Sequence, residues 1–310
     1  MTLKKSGRFL ALLFVAAMVM AFVPARSYAA TTAKNSAKCY DISVNKTYKK
    51  YDITGDKKKD TIKVKTVSAS SGSASVTGLT VYVNGKKCLK KDYGAAVKPT
   101  VKLIRLKNGK PYLYISALNQ DGSYNSGNIY KYKSSKLNSA LNLTKLVGSV
   151  SSYWDNEAWG GNGAEYVGRL SECIEKISGN SIYIRVKHSG GRFNAGDEVY
   201  RYDYKSGKLT MYKTFPLKYS KLTIDLENNK SYGNTGEQIW PFAGEYGTPN
   251  QGSVIPVKVS SSKEAVVTAS RDANMGAGFS LRLKAYKKGT AVITITAADG
   301  RTAKLKLTVK

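Results

Sequence analysis

Three aspartates stand at every fourth position of the segment YDITGDKKKDTIKV, as Asp52, Asp56 and Asp60, with Thr54 and Gly55 between the first two. Alternate side chains of a tight loop can converge on one centre, and a glycine lets the chain bend sharply. Ca²⁺ draws about six to eight oxygens from carboxylates, backbone carbonyls and neutral side chains. Asp52, Thr54, Asp56 and Asp60 offer side-chain oxygens and Lys58 its carbonyl, so the segment reads as a candidate calcium loop. It is not an EF-hand: the twelfth position, counted from Asp52, is Lys63 instead of glutamate, and a strand pattern follows. The other reading is a polar turn whose aspartates pair with Lys49, Lys50, Lys57, Lys58 and Lys59. Exposed pairs of that kind stabilise by about 0–1 kcal/mol.

A second constellation is SSYWDNEAWGGNGAEY, residues 151–166, where Tyr153, Trp154 and Trp159 flank Asp155 and Glu157 and three glycines make a loop. Aromatic faces beside carboxylates suit a sugar-binding surface, and a carboxylate pair is what a glycosidase uses. Asp155 and Glu157 lie two residues apart on one loop, with no carboxylate that the sequence places opposite them. The competing reading is a long connecting loop whose tryptophans anchor it to a core. The single histidine, His188, reads as a surface loop residue and excludes His-rich metal chemistry. No Ser/His/Asp set, HExxH, P-loop or dinucleotide fingerprint is present, so the chain reads as non-catalytic.

The charge is lopsided. Formal net charge is +29. Residues 31–150 carry +17, residues 151–218 only +2 and residues 219–310 +6. Such asymmetry points to an anionic partner or surface for the first segment; the other reading is charge that serves only solubility. Lys4, Lys5 and Arg8 precede the apolar run Phe9–Val23, and Ser27 and Ala29 sit where a signal peptidase reads small residues. Residues 1–29 are therefore expected to be a signal peptide and 30–39 a linker. The mature chain should be secreted and extracellular, held at the cell wall by charge if at all. Export, with no arginine-rich helix, argues against nucleic acid and for an anionic cell-wall polymer or extracellular glycan. No later segment is apolar enough to span a membrane. Cys39, Cys88 and Cys173 allow at most one disulfide.

The elements that must hold these residues are strands. TIKVKTV, LTVYVNG, PYLYISA, SIYIRVK and EVYRYDYK alternate with period two and are rich in β-branched residues and tyrosine. Asn84-Gly85 and Asn108-Gly109 predict type I′ hairpins. Only 140–148 and 168–177 have the spacing of short helices. An internal repeat aligns 111–137 with 181–209: Tyr114 matches Tyr183, Tyr124 Phe193 and Gly127 Gly196 at an offset of 69, and both copies turn through Ser-Ser or Ser-Gly before Lys-Leu. The fold class is all-β: a repeated antiparallel meander, propeller-like or sandwich, followed by a second β-sandwich.

Two resemblances sharpen this. Val257-x-Val259-Ser-Ser, Ala265-Val266-Val267, Lys287-Lys288-Gly289-Thr290-Ala291 with Ile293-x-Ile295, and the Asp299-Gly300 turn before the last strand strongly resemble the bacterial immunoglobulin-like domain of group 2. The loop at 52–60 resembles the calcium loops of FG-GAP or VCBS-type repeats, with Lys57 where that family usually has glycine. The resemblances imply a β-repeat domain over 40–217, an Ig-like domain over 218–310, and possession of a structural calcium. Families with this pairing are typically secreted or surface adhesins, which implies cell adhesion and carbohydrate binding. The alternative is a carbohydrate-active enzyme working through the 153–159 loop.

Overall fold

The computed structural model describes residues 37–69, 75–153, 169–189, 198–231, 233, 236–239, 241, 256–274 and 278–310. The first sheet has eight strands: β1 (Lys38–Asp41), β2 (Thr47–Tyr51), β3 (Asp60–Ser68), β4 (Val76–Val83), β5 (Lys86–Arg105), β6 (Pro111–Asn119), β7 (Tyr124–Lys133) and β8 (Lys136–Asn142). Their order is β2-β3-β4-β5-β6-β7-β8, with β1 added to β5. The long β5 joins two meanders: its first part pairs with β4 and its second, Val97 to Arg105, with β6. Helix α1 (Leu143–Tyr153) follows, then a four-stranded sheet of β9 (Arg169–Ser178), β10 (Ser181–Ser189), β11 (Glu198–Lys205) and β12 (Lys208–Met211).

The remaining chain forms two facing sheets. One is β13 (Lys221–Ile224), β19 (Thr302–Val309), β18 (Gly289–Ala297) and β15 (Pro256–Ser261); the other is β14 (Glu237–Ile239), β17 (Gly278–Ala285) and β16 (Val267–Asn274). A short helix α2 (Leu226–Ser231) caps them. The all-β class holds, as an open pair of meanders beside a sandwich.

Alternation explains the packing. On β6 nearly every residue is buried, because the two faces of the strand serve different cores. Leu113, Ile115 and Ala117 join Ile62, Val64, Val81 and Val83 in one cluster. Tyr112 and Tyr114 join Ile182, Ile184 and Tyr200 of the second sheet in another. A strand covered on both faces reads as a near-continuous apolar run, which PYLYISA does. The two meanders also touch through equivalent turns: Lys107 N donates to Gly179 O at 2.9 Å and Asn108 N to the Asn180 side chain at 2.9 Å.

The turn chemistry is partly as expected. Asn84-Gly85 has φ of 51° and 78°, and the repeated turns Ser134-Ser135 and Ser206-Gly207 are likewise positive at both positions. These are the left-handed pairs a type I′ hairpin requires. Asn108-Gly109 differs. Only Gly109 has positive φ, and the Leu106 and Lys110 backbones close a longer turn. Segment 168–177, read as a possible helix, is strand β9, while the helix near 140–148 runs from Leu143 to Tyr153. The Asn142 side chain accepts from Lys145 N at 2.9 Å to cap it, and Leu143, Val147 and Val150 form its buried face. His188 lies in β10, opposite Leu170, and not in a loop.

The hydrophobic cluster of the second sheet continues into the C-terminal sandwich, from Ile104 to Val309, across the boundary expected at 217/218. Residues before Pro216 also extend the sandwich: Phe215 N donates to Thr302 O at 3.2 Å, Thr302 N to Lys213 O at 2.9 Å, and Phe215 is buried. A fragment 212–310 should therefore melt above a fragment 219–310, by roughly 4–8 °C per kcal/mol of lost contact. Equal melting temperatures would show that 213–215 contribute nothing to the sandwich.

Candidate functional site

The lysines of the basic segment are assembled by strand register. On β3 the side chains of Ile62 and Val64 point into the core, so Lys63 and Lys65 take the opposite face. Across β4, Leu79, Val81 and Val83 are buried and Thr80 and Tyr82 face outward. Lys63 pairs with Tyr82, and Tyr82 with Lys87; Lys65 pairs with Thr80, and Thr80 with Lys90. An irregularity in β5 between the partners of Val81 and Tyr82 puts Cys88 in the core and leaves Lys87 exposed opposite Tyr82. Thr47 of β2 continues the first row beside Lys63.

The result is four lysines on one face of the sheet, in register around Tyr82 and Thr80. Strand geometry sets their spacing: about 7 Å between alternate residues along a strand and about 10 Å across one intervening strand. Lys65 Nζ stands 5.6 Å from the Tyr82 ring centroid. The row beyond Lys90 carries one carboxylate, Asp92, whose Oδ1 accepts from Gly94 N at 3.0 Å. Lysines are compact point charges without the planar fork of arginine. An open face of lysines, tyrosine and threonine suits a long flexible polyanion more than a small molecule.

The aspartate loop is held by its own backbone. Asp60, buried at the start of β3, accepts from Ile53 N at 2.8 Å, from Thr54 N at 2.9 Å and from Asn84 Nδ2 at 2.7 Å. Asp52 accepts from Gly55 N at 2.6 Å and from Lys57 N at 2.9 Å, and Asp56 from Lys58 N at 2.8 Å. Gly55 has φ of 81° and Lys57 of 69°, both in the left-handed region, so the loop bends sharply at each. Burial pushes the Asp60 carboxyl up, but hydrogen bonds from Thr54, Asn84 and Ile53 outweigh it and hold it below the usual aspartate value. The Thr54 hydroxyl is buried and Lys58 is exposed. Among the described residues no three Asp, Glu, His or Cys side chains gather closely enough to hold a metal ion. As arranged, the Asp52, Asp56 and Asp60 carboxylates accept hydrogen bonds from their own loop and from Asn84.

Of the aromatic constellation, Tyr153 ends α1, while Trp154, Asp155, Glu157 and Trp159 lie outside the described residues, as does the expected signal peptide. The three cysteines are free: Cys39 exposed, Cys88 buried and Cys173 half-buried. No helix among the described residues is long and apolar enough to cross a membrane.

Of the buried charged groups that were not anticipated, two anchor clusters. Arg301, 3% exposed, links the turn between β18 and β19 to β11. Its Nε lies 2.6 Å from Asp299, a terminal nitrogen 3.3 Å from Glu198, and its other terminal nitrogen donates to Val199 O at 3.2 Å. The guanidinium lies 4.2 Å from the centre of the Tyr200 ring, and the Tyr200 hydroxyl donates to Glu198. The second group is Glu172 on β9, taken up below.

No family model matches the chain, and no curated protein matches it. Among solved structures it is similar to domains 4 and 5 of the S-layer protein SbsC, at 14% identity over 69% of this chain and 96% of that one, with a TM-score of 0.22. A structure of SbsC domains 4–9 matches at 14% identity over 69% of this chain and 30% of that one, with a TM-score of 0.23. A longer SbsC crystal structure matches at 14% identity over 89% and 41%, with a TM-score of 0.21. Likeness at that level carries no functional argument.

Proposed function

We propose that the chain is an exported, non-catalytic binding or adhesion protein that holds an anionic cell-wall polymer or extracellular glycan on the lysine face of its first sheet. The observation that carries this is the assembly of Lys63, Lys65, Lys87 and Lys90 into registered rows around Tyr82. Four like charges within about a Debye length repel one another, and a polyanion lying across them relieves that repulsion. The C-terminal sandwich, with its Gly289 and Asp299-Gly300 turns, serves in this reading as an Ig-like spacer that displays the sheet away from the anchoring surface. Nucleic acid has no place in the reading, because export puts it out of reach.

Binding to a long polyanion such as polyphosphate or polygalacturonate should weaken steeply between low and physiological salt, since exposed charges are screened over about 8–10 Å. Equal retention on an uncharged glucan, or retention that salt does not change, would contradict the proposal.

The calcium implied by the loop's resemblance stands as a separate proposal, resting on the left-handed bend at Gly55 and Lys57. A calcium-dependent rise in melting temperature that Asp56→Ala removes would support it. No shift at millimolar calcium would leave the loop to its hydrogen bonds.

A further inference from the structure

Glu172 is a carboxyl built into the seam between the two sheets, with hydroxyls and, among the described residues, no cation as its neighbours. It is 5% exposed, and pairing places it opposite Val186. Its Oε2 accepts from the Tyr114 hydroxyl of β6 at 2.9 Å. Among the described residues its Oε1 has no hydrogen-bond partner. That oxygen lies against the backbone of Gly127 on β7: a Cβ there would meet it at 2.1 Å and the Tyr124 hydroxyl at 2.6 Å. Gly127 thus makes the room that the carboxyl occupies. Its backbone is fixed by α1, since Gly127 N donates to the Thr144 hydroxyl at 3.0 Å and that hydroxyl donates to Gly127 O at 3.2 Å.

Among the described residues, the groups around Glu172 are neutral at physiological pH. Tyr114 and Ser116 come from β6, Tyr124 from β7 and Thr144 from α1. On its own sheet the neighbouring Glu175 is paired with Arg185 at 2.6 Å, and Lys187 acts on Cys173, whose thiol is pushed up first by burial. Lys145 of α1 is exposed. A carboxylate buried without a cation is costly and takes up a proton instead.

We propose that the seam between the first and second sheets is an acid-stabilised joint, closed by the protonated carboxyl of Glu172 and loosened when that carboxyl ionises. Protonation supplies an O–H that can donate across the seam, and it removes a negative charge from an apolar space. Burial raises the carboxyl to about 7, against the nearby hydroxyls of Ser116, Tyr114 and Tyr124, which pull it down. The proton is released to water as pH rises, and the carboxylate then favours any opening that hydrates it.

The sign follows from linkage. Between the ordinary glutamate value of 4.5 and about 7 the folded state holds the proton that the unfolded state has lost. Stability from this group is complete below 4.5, falls as pH rises through that window, and is gone above it. The size, for a shift from 4.5 to about 7, is a factor of about 300 in the folding equilibrium constant. Urea unfolding of the full chain from pH 4.5 to 8, with hydrogen exchange at the amides of β7 and β9, tests the proposal. The wild type should lose that factor and lose protection at Gly127 and Cys173 as pH rises. Glu172→Gln should remove that part of the pH dependence and hold seam protection at its acid level, and Gly127→Ala should show low protection throughout. A Glu172→Gln protein that keeps the wild-type pH dependence would overturn the proposal. If that variant does not fold, infrared titration of the wild type decides. A buried protonated carboxyl band that disappears near pH 7 supports the joint, and its absence at pH 5 overturns it.

Discussion

Arg301→Ala should lower the stability of the full chain by about 3–5 kcal/mol, the usual cost of breaking a buried ion pair from one side. The arginine is 3% exposed and balances Asp299 and Glu198, both largely buried. Without it two carboxylates and the Val199 carbonyl face a cavity, and the Tyr200 ring loses its cation. The contact spans the second meander and the sandwich, so the variant should also expose the junction to protease before either part unfolds. Replacing Arg301 by methionine together with Glu198 by leucine and Asp299 by asparagine should recover part of the loss, because well-packed uncharged substitutes commonly equal a buried ion cluster. Urea midpoints of the three proteins measure this. A loss under about 1 kcal/mol for Arg301→Ala would mean that solvent reaches the cluster.

Asp60→Ala carries the second large effect. Three donors, two of them backbone N–H groups, lose their acceptor at a buried position. Hydrogen bonds to a charged group are worth about 1.5–3 kcal/mol each, and their partial replacement by water leaves an expected loss of about 3 kcal/mol. Asp56 is exposed and accepts one local bond, so Asp56→Ala should cost about 0.5 kcal/mol. The Asp60 carboxyl is depressed in the fold, so its contribution is present above the ordinary aspartate value of 3.8 and is lost as pH falls below it. Thermal melts of both variants with and without a calcium chelator separate the effects. Equal losses for the two aspartates would show that they act together on a shared ion.

Much of the fold was legible because alternation is a local property. PYLYISA and EVYRYDYK read as strands, and the repeated Ser-Ser and Ser-Gly turns read as hairpins, since each follows from a few adjacent residues. Strand β9 was hidden by accident of spacing. Leu170, Cys173, Ile174 and Ile177 recur at i, i+3, i+4 and i+7, the helical period, while the polar Glu172 interrupts the two-residue period. The same substitution that conceals the strand creates the buried carboxyl. The Asn108-Gly109 turn departed from type I′ because β5 and β6 are joined by a five-residue connection, which places only the glycine in the left-handed region.

The candidate site was legible as charge and not as geometry. An excess of lysine over residues 31–150 is a matter of counting, but which lysines share a face depends on register across three strands and on the irregularity that aligns Lys87 with Tyr82. Arg301 follows a turn that the sequence announces, yet its partner Glu198 lies 103 residues away, and only the packing of sheet on sandwich brings them together. Loop 52–60 shows the converse. Its aspartate spacing is real, and the structure uses it to cap backbone N–H groups.

The central claim, that the lysine face of the first sheet binds a polyanion, is tested most directly by retention on an immobilised polyanion of two variants with equal net charge. One replaces Lys63, Lys65, Lys87 and Lys90 by glutamine; the other replaces the exposed Lys258, Lys263, Lys304 and Lys306 of the sandwich. The face variant should elute at markedly lower salt than the wild type, and the sandwich variant close to it. Equal displacement of the two would show that binding follows total charge alone and contradict the assignment to this face.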